Sequence, residues 1–175
     1  LQQRNGRSTL HVFGNGGAGH IQESLTIIQI RNHHGVATYY SRHRDRLDKA
    51  EEHFLKAIEL YDKYGKSMNS LALLYENTNR TEKALAMYRK AIIANPGLHR
   101  PFINLAGLLE RASRSLLYKG RNNNTYNYND VAYEYLVESE KVFMEATRLP
   151  TVITDRRYNT LVRLGVIRLR LGNFI

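Results

Sequence analysis

The stretch KSMNSLALLYENTN (66–79) followed by TEKALAMYRKAIIANP (81–96) reads as two short helices joined by a tight turn. Met68, Leu71, Ala72 and Tyr75 fall at three- and four-residue spacing, and so do Ala84, Tyr88 and Ala91. Each helix therefore has one apolar stripe to bury. Small side chains at Ala72, Ala84 and Ala91 let two helix axes approach closely. Met68, Leu71, Tyr75 and Tyr88 are large enough to fill the space between them and a neighbouring unit. Pro96 has no N–H to give the helix ladder, so the second helix stops before it.

The same pattern recurs at a spacing of 34. Ala50, Phe54 and Ala57 return as Ala84, Tyr88 and Ala91, while Met68, Leu71, Ala72 and Tyr75 return as Phe102, Leu105, Ala106 and Leu109. A period of this length marks an array in which each helical hairpin buries its apolar side on the next. The period, with its order of large residue, Leu, Ala, Tyr, then Ala, aromatic, Ala and Pro, resembles the tetratricopeptide repeat. Residues 65–98 match that signature at every position: Met68, Leu71, Ala72, Tyr75, Ala84, Tyr88, Ala91 and Pro96.

The neighbouring units match less fully. In 31–64 the second helix is good but the first, NHHGVATYYSRH, is poor, with Tyr40 one residue out of register and Asp62 where Pro is usual. The next unit opens with RPFINLAGLLERA and closes with Ser139, Phe143, Ala146 and Pro150, after the insertion SRSLLYKGRNNNTYNYND. A fourth begins at Leu161, Leu164 and Gly165, and Gly172 opens its turn. The expected fold is all-α: a right-handed superhelical solenoid of antiparallel helix pairs. Residues 1–30 form a glycine-containing lead-in and a first helix at 20–31. Residues 31–175 form an array of about three repeats plus the first helix of a fourth, with a low-complexity insertion at about 113–129. Helices are expected at 46–61, 66–78, 81–94, 100–112, 130–148 and 157–171. Ile21, Leu25 and Ile28 are expected to cover the first repeat. The lone last helix leaves Leu161, Leu164 and Ile167 short of a partner, so the chain is expected to be a fragment of a longer array.

Gly14, Gly16 and Gly19 imitate a dinucleotide-binding fingerprint, which needs a strand before it, a second strand after it and an acidic residue about 20 positions on. TLHVF is a possible strand, but no acid follows the next helix until Asp45, and the rest is helical hairpins. The glycines read as a connector. His11, His20, His33, His34 and His43 come without a carboxylate pair or an HExxH spacing, and adjacent His33 and His34 cannot share a helix face. They read as solvated or helix-packing residues. Glu51 and Glu52 lie beside Lys49 and Lys56 on a face expected to be solvated. No catalytic constellation, metal site or cofactor site emerges.

The formal net charge is +10, which favours acidic partners. No cysteine is present, so disulfides and thiolate chemistry are excluded, and no apolar run reaches membrane-span length. In the insertion, Lys119 and Arg121 interleave with Tyr118, Tyr126 and Tyr128, a mix able to hold single-stranded nucleic acid, or simply a loop. Asn79-Arg80-Thr81 and Asn123-Asn124-Thr125 are glycosylation triplets with meaning only in a luminal or secreted chain.

The resemblance implies a concave groove lined by the second, fifth, sixth and ninth residues of each first helix. These are Lys66, Asn69, Ser70 and Leu73; Arg100, Ile103, Asn104 and Gly107; and Asn159, Val162, Arg163 and Val166. In the family such a groove takes an extended peptide or a partner helix. Asn104 stands where members bond a peptide backbone, and Arg163 where some clamp a carboxylate. The implied function is a non-enzymatic protein–protein interaction scaffold for a protein or peptide, acidic by preference. Two alternatives stand beside it: the substrate-recognition arm of a larger enzyme such as a glycosyltransferase, and an RNA- or ribosome-associated adaptor acting through its basic surface.

Overall fold

The computed structural model describes residues 17–123, 127–149, 163, 165–167, 169 and 172, and every regular element among them is helical. The order is α1 (Gly17–Tyr40), one 3-10 turn (Arg44–Arg46), α2 (Leu47–Leu60), α3 (Gly65–Asn77), α4 (Thr81–Ala94), α5 (His99–Asn123) and α6 (Asn127–Arg148). Arg163, Gly165 to Ile167, Leu169 and Gly172 are helical as well. Each helix packs on its chain neighbour, and the broadest contacts fall within the pairs α1–α2, α3–α4 and α5–α6. Short connections fold each pair back on itself. This is an all-α helical repeat fold.

The signature residues build one continuous core. Ala50, Phe54, Leu71, Ala72, Ala84, Tyr88, Leu105, Ala106, Phe143 and Ala146 are all buried in it. Alanines bring the axes together and aromatic rings fill between units, as their spacing requires. Gly65 serves the same end at the start of α3. A Cβ there would lie 3.0 Å from Leu98 Cδ1 and 3.1 Å from the Ala91 carbonyl oxygen.

Helix ends are held by backbone and packing rather than by side-chain N-caps; α2, α3 and α4 have none. The α3 terminus is the most built. Asn79 adopts φ 58°, the left-handed conformation that asparagine tolerates, and the Arg80 N–H then returns to the Tyr75 carbonyl at 2.8 Å. Thr78 Oγ1 donates to the Leu74 carbonyl at 2.8 Å.

Three expectations need correction. First, α1 is one helix from Gly17 to Tyr40, so it runs through the poor-looking NHHGVATYYSRH. Its buried side carries Ile30 and Ala37, and Ile21, Leu25 and Ile28 are exposed on the opposite side instead of covering the first repeat. Second, the insertion is mostly helix: α5 continues to Asn123 and α6 starts at Asn127. Ser113 Oγ donates to the Ala132 carbonyl at 2.8 Å, so the two helices stay paired past the last signature position. Third, Ile167 is fully buried rather than short of a partner. Leu161, Leu164, the Gly14 and Gly16 positions and the side chains of Lys119, Arg121, Tyr126 and Tyr128 lie outside the described residues.

Candidate functional site

Within each hairpin the first helix turns one face to its partner, which leaves the opposite face for other contacts. On α3 that opposite face carries Lys66, Asn69, Ser70 and Leu73, and on α5 it carries Arg100, Ile103, Asn104 and Gly107. Lys66, Leu73 and Arg100 are exposed; Ser70, Ile103 and Asn104 are half-buried; Asn69 is buried. Asn104 Nδ2 donates to Asn69 Oδ1 at 3.0 Å, so the two amides tie α3 to α5 and satisfy each other in part. Each keeps further donor or acceptor capacity.

One turn along α5, the missing side chain of Gly107 makes room for two guanidinium groups. A Cβ at Gly107 would meet Arg163 at 3.2 Å and Arg111 at 3.4 Å. Arg163 Nη2 donates to Glu110 at 3.1 Å, and its guanidinium stands 5.4 Å from the centre of the Phe143 ring. Glu110 is only 6 % exposed and also accepts from Arg114 at 3.0 Å. Arg111 donates to Glu76, which accepts from the Tyr88 hydroxyl at 3.0 Å as well. Burial pushes the Tyr88 phenol up, and the Glu76 carboxylate beside it pushes further, so it remains a neutral donor. Glu76 and Glu110 lie 34 residues apart; Glu76 accepts from Arg111 of α5, and Glu110 accepts from Arg163. Two of the cations here are thus already neutralised. No ion pair among the described residues engages Lys66 or Arg100.

Asn159 and Val162 lie outside the described residues, and Val166 is exposed. The register also yields four positions that sequence reasoning missed. Counting back 34 from Lys66, Asn69, Ser70 and Leu73 gives Asn32, Gly35, Val36 and Tyr39 on α1, all exposed. They escaped because His34, Ala37, Thr38 and Ser41 stand where Met68, Leu71, Ala72 and Tyr75 carry the signature in the next unit. His34 nonetheless packs as the large residue of its unit. Its ring lies 5.7 Å from Phe54 and 5.6 Å from Tyr64, and its Nδ1 is 2.9 Å from Ser67 Oγ.

Several of the other singled-out residues make contacts within the fold. His33 Nδ1 lies 2.9 Å from His53 Nδ1, so the adjacent histidines of α1 point to different neighbours. No group of three or more His, Asp or Glu among the described residues is placed to hold a metal ion. Glu52 pairs with Lys56 at 2.5 Å on the surface. Glu51, expected on a solvated face, instead accepts from Tyr75 at 2.8 Å and from Arg80 at 2.7 Å, tying α2 to α3. Burial opposes its charge, yet the Arg80 and Tyr75 hydrogen bonds win and hold its carboxyl below the ordinary range. Burial and Glu51 together push the Tyr75 phenol up to about 12. No helix among the described residues is long and apolar enough to cross a membrane.

A family model for the tetratricopeptide repeat matches residues 27–92, from within α1 through α4. No curated protein matches the chain. Among the solved structures that match is the first TPR of Spaghetti (RPAP3) bound to the HSP90 peptide SRMEEVD, 12 % identical. The match has a TM-score of 0.58 and covers 82 % of this chain and 96 % of that one. At such identity it speaks for the shared fold. The residues that carry the 34-residue signature, the hairpins they build and the family model over residues 27–92 together show tetratricopeptide repeats in that part of the chain, within a helical repeat fold that the solved TPR domain shares.

Proposed function

We propose that the chain holds an extended, acidic segment of another protein along the face formed by α3, α5 and Arg163, and that it acts by binding and not by catalysis. The observation that carries this is the Asn69–Asn104 amide pair, 3.0 Å apart, about one turn along from Lys66 on α3 and Arg100 on α5, cations that no ion pair among the described residues engages. Spare amide valences suit the alternating N–H and C=O groups of an extended backbone, which has no internal partners for them. Lys66 and Arg100 supply the attraction, because no ion pair among the described residues engages them. Arg163 and Arg111 contribute differently: a ligand carboxylate reaching them competes with Glu110 and Glu76, so they select for geometry more than for charge. The peptide bound by the Spaghetti (RPAP3) domain, SRMEEVD, carries three acidic residues, in keeping with such a preference.

The test is panning of a random heptapeptide library against the protein and against two double variants, Asn104→Ala/Arg163→Ala and Lys66→Ala/Arg100→Ala. Recovered peptides are expected to be rich in Asp and Glu, and to lose at least tenfold in affinity for each variant at unchanged helicity. Peptides without acidic enrichment, or peptides that bind either variant as tightly as the unsubstituted protein, would overturn the reading.

A further inference from the structure

The exposed face of α1 is apolar well beyond the groove positions. Ile21, Leu25, Ile28, Asn32, Val36 and Tyr39 follow one another at steps of three or four residues and so form one stripe. Ile21 is 64 % exposed, Leu25 48 %, Ile28 52 % and Tyr39 58 %. Scattered exposed apolar residues are ordinary, but a five-turn stripe is not. Nor is it leftover core, since the buried residues of the helix, Ile30 and Ala37, face the other way. The helix is also longer than its register requires. It starts at Gly17, whereas residue 31 is the repeat equivalent of Gly65, where α3 starts. The excess is about 21 Å of helix at 1.5 Å per residue. Val36 and Tyr39, at the lower end of the stripe, share register with Ser70 and Leu73, so the stripe leads into the face described above.

We propose that this stripe docks an amphipathic helix with an acidic polar face, contributed by the partner that also occupies the α3–α5 face. The inference extends the peptide-binding reading by a second contact of different chemistry. An apolar helix face complements the stripe at i, i+3, i+4 and i+7 spacing. Charge selects the occupant. A helix flanked by acidic residues meets exposed Arg31 beside the stripe and Lys66 below it. A second copy of this chain, at net charge +10, brings like charge to the same place.

The probes are three 18-residue peptides: one with Leu at helical stripe positions and Glu opposite, the same composition with the stripe scrambled, and the first with Glu replaced by Lys. They are titrated against the full chain and against Leu25→Glu/Ile28→Glu, whose substituted side chains are solvent-exposed and leave the core untouched. The stripe peptide with Glu is expected to bind at least tenfold tighter than the other two and to lose at least tenfold on the variant. Unchanged helicity and melting temperature show that the variant is folded. Asn104→Ala/Arg163→Ala is expected to bind the stripe peptide normally, so failure of the α3–α5 reading is told apart from failure of this one. Equal binding by the variant, or equal binding of the Lys peptide, overturns the proposal. So does a dimer in sedimentation equilibrium that Leu25→Glu/Ile28→Glu dissolves, which would assign the stripe to a second copy.

Discussion

Gly65 and Gly35 sit in first helices one repeat apart, and the same substitution is expected to act on them with opposite sign. At Gly65 a methyl group would stand 3.1 Å from the Ala91 carbonyl oxygen, which belongs to a helix backbone and has nowhere to go. Gly65→Ala is therefore expected to cost about 1–3 kcal/mol, the range for overpacking. At Gly35 nothing lies within 4 Å of the added methyl, so Gly35→Ala is expected to stabilise by about 0.5–1 kcal/mol through backbone entropy alone. Thermal melts of the two variants check both signs. His34 carries a second expectation. Burial lowers its pKa below the ordinary 6.5 and Lys66 lowers it further; for His33 burial, then His53, then Lys56 act in the same direction. A base whose folded pKa lies below its unfolded value takes up protons first in the unfolded chain, so stability is full above about pH 6.5 and falls as the solution becomes more acid. The melting temperature is expected to be lower at pH 5.5 than at 7.5, and His33→Gln/His34→Gln to flatten that slope. An unchanged slope in the variant would place the proton uptake elsewhere.

Helices α3 and α4 were legible from their own letters because Met68, Leu71, Tyr75, Ala84 and Tyr88 find their partners within one hairpin and its neighbours. Their predicted bounds lie within a residue of those observed. Ala84 is fully buried where α4 meets the core, so Ala84→Leu forces a branched side chain into a helix–helix contact. A loss of about 1–3 kcal/mol in chemical denaturation is expected, and an unchanged midpoint would show the contact to be looser than it looks. The length of α1 was not legible, for a physical reason. Its signature positions hold His34, Thr38 and Ser41, and the fit of His34 depends on Phe54, Tyr64 and Ser67 from outside α1, which no local pattern announces. The extension of α5 and α6 was masked by asparagine-rich composition, which reads as loop while packing of one helix on the other overrides propensity. At the candidate site, register alone placed Lys66, Asn69, Arg100 and Asn104. It said nothing of the bond from Arg163 to Glu110, because residues 53 apart across an insertion have no spacing rule.

Across the whole molecule stability is distributed unevenly. Residues 68–91 carry Leu71, Ala72, Ala84 and Tyr88, all but inaccessible to solvent, whereas on α1 from His20 to Gln29 no side chain is buried. Amide hydrogen exchange is expected to be at least about a hundredfold faster over 20–29 than over 71–88, because local opening there costs little buried area. Uniform protection along the chain would contradict this. An acidic helix seated on α1 would slow exchange in that segment alone, which makes the same measurement a readout for ligand.

The glutamates at positions 76 and 110 give the array a mechanical character. Glu76 anchors Arg111 of α5 and Glu110 of α5 anchors Arg163, so segments distant in sequence are bolted together along the side that carries the α3–α5 face. The second helices α4 and α6 are fastened by Arg89 to Glu138 at 2.6 Å. Curvature in a solenoid is the sum of small rotations between units. Spreading the helices that carry these pairs pulls guanidinium groups off carboxylates, one of them buried. Opening the array along this side therefore costs charge-assisted bonds at carboxylates that recur with the repeat, on top of the packing that any bending must disturb.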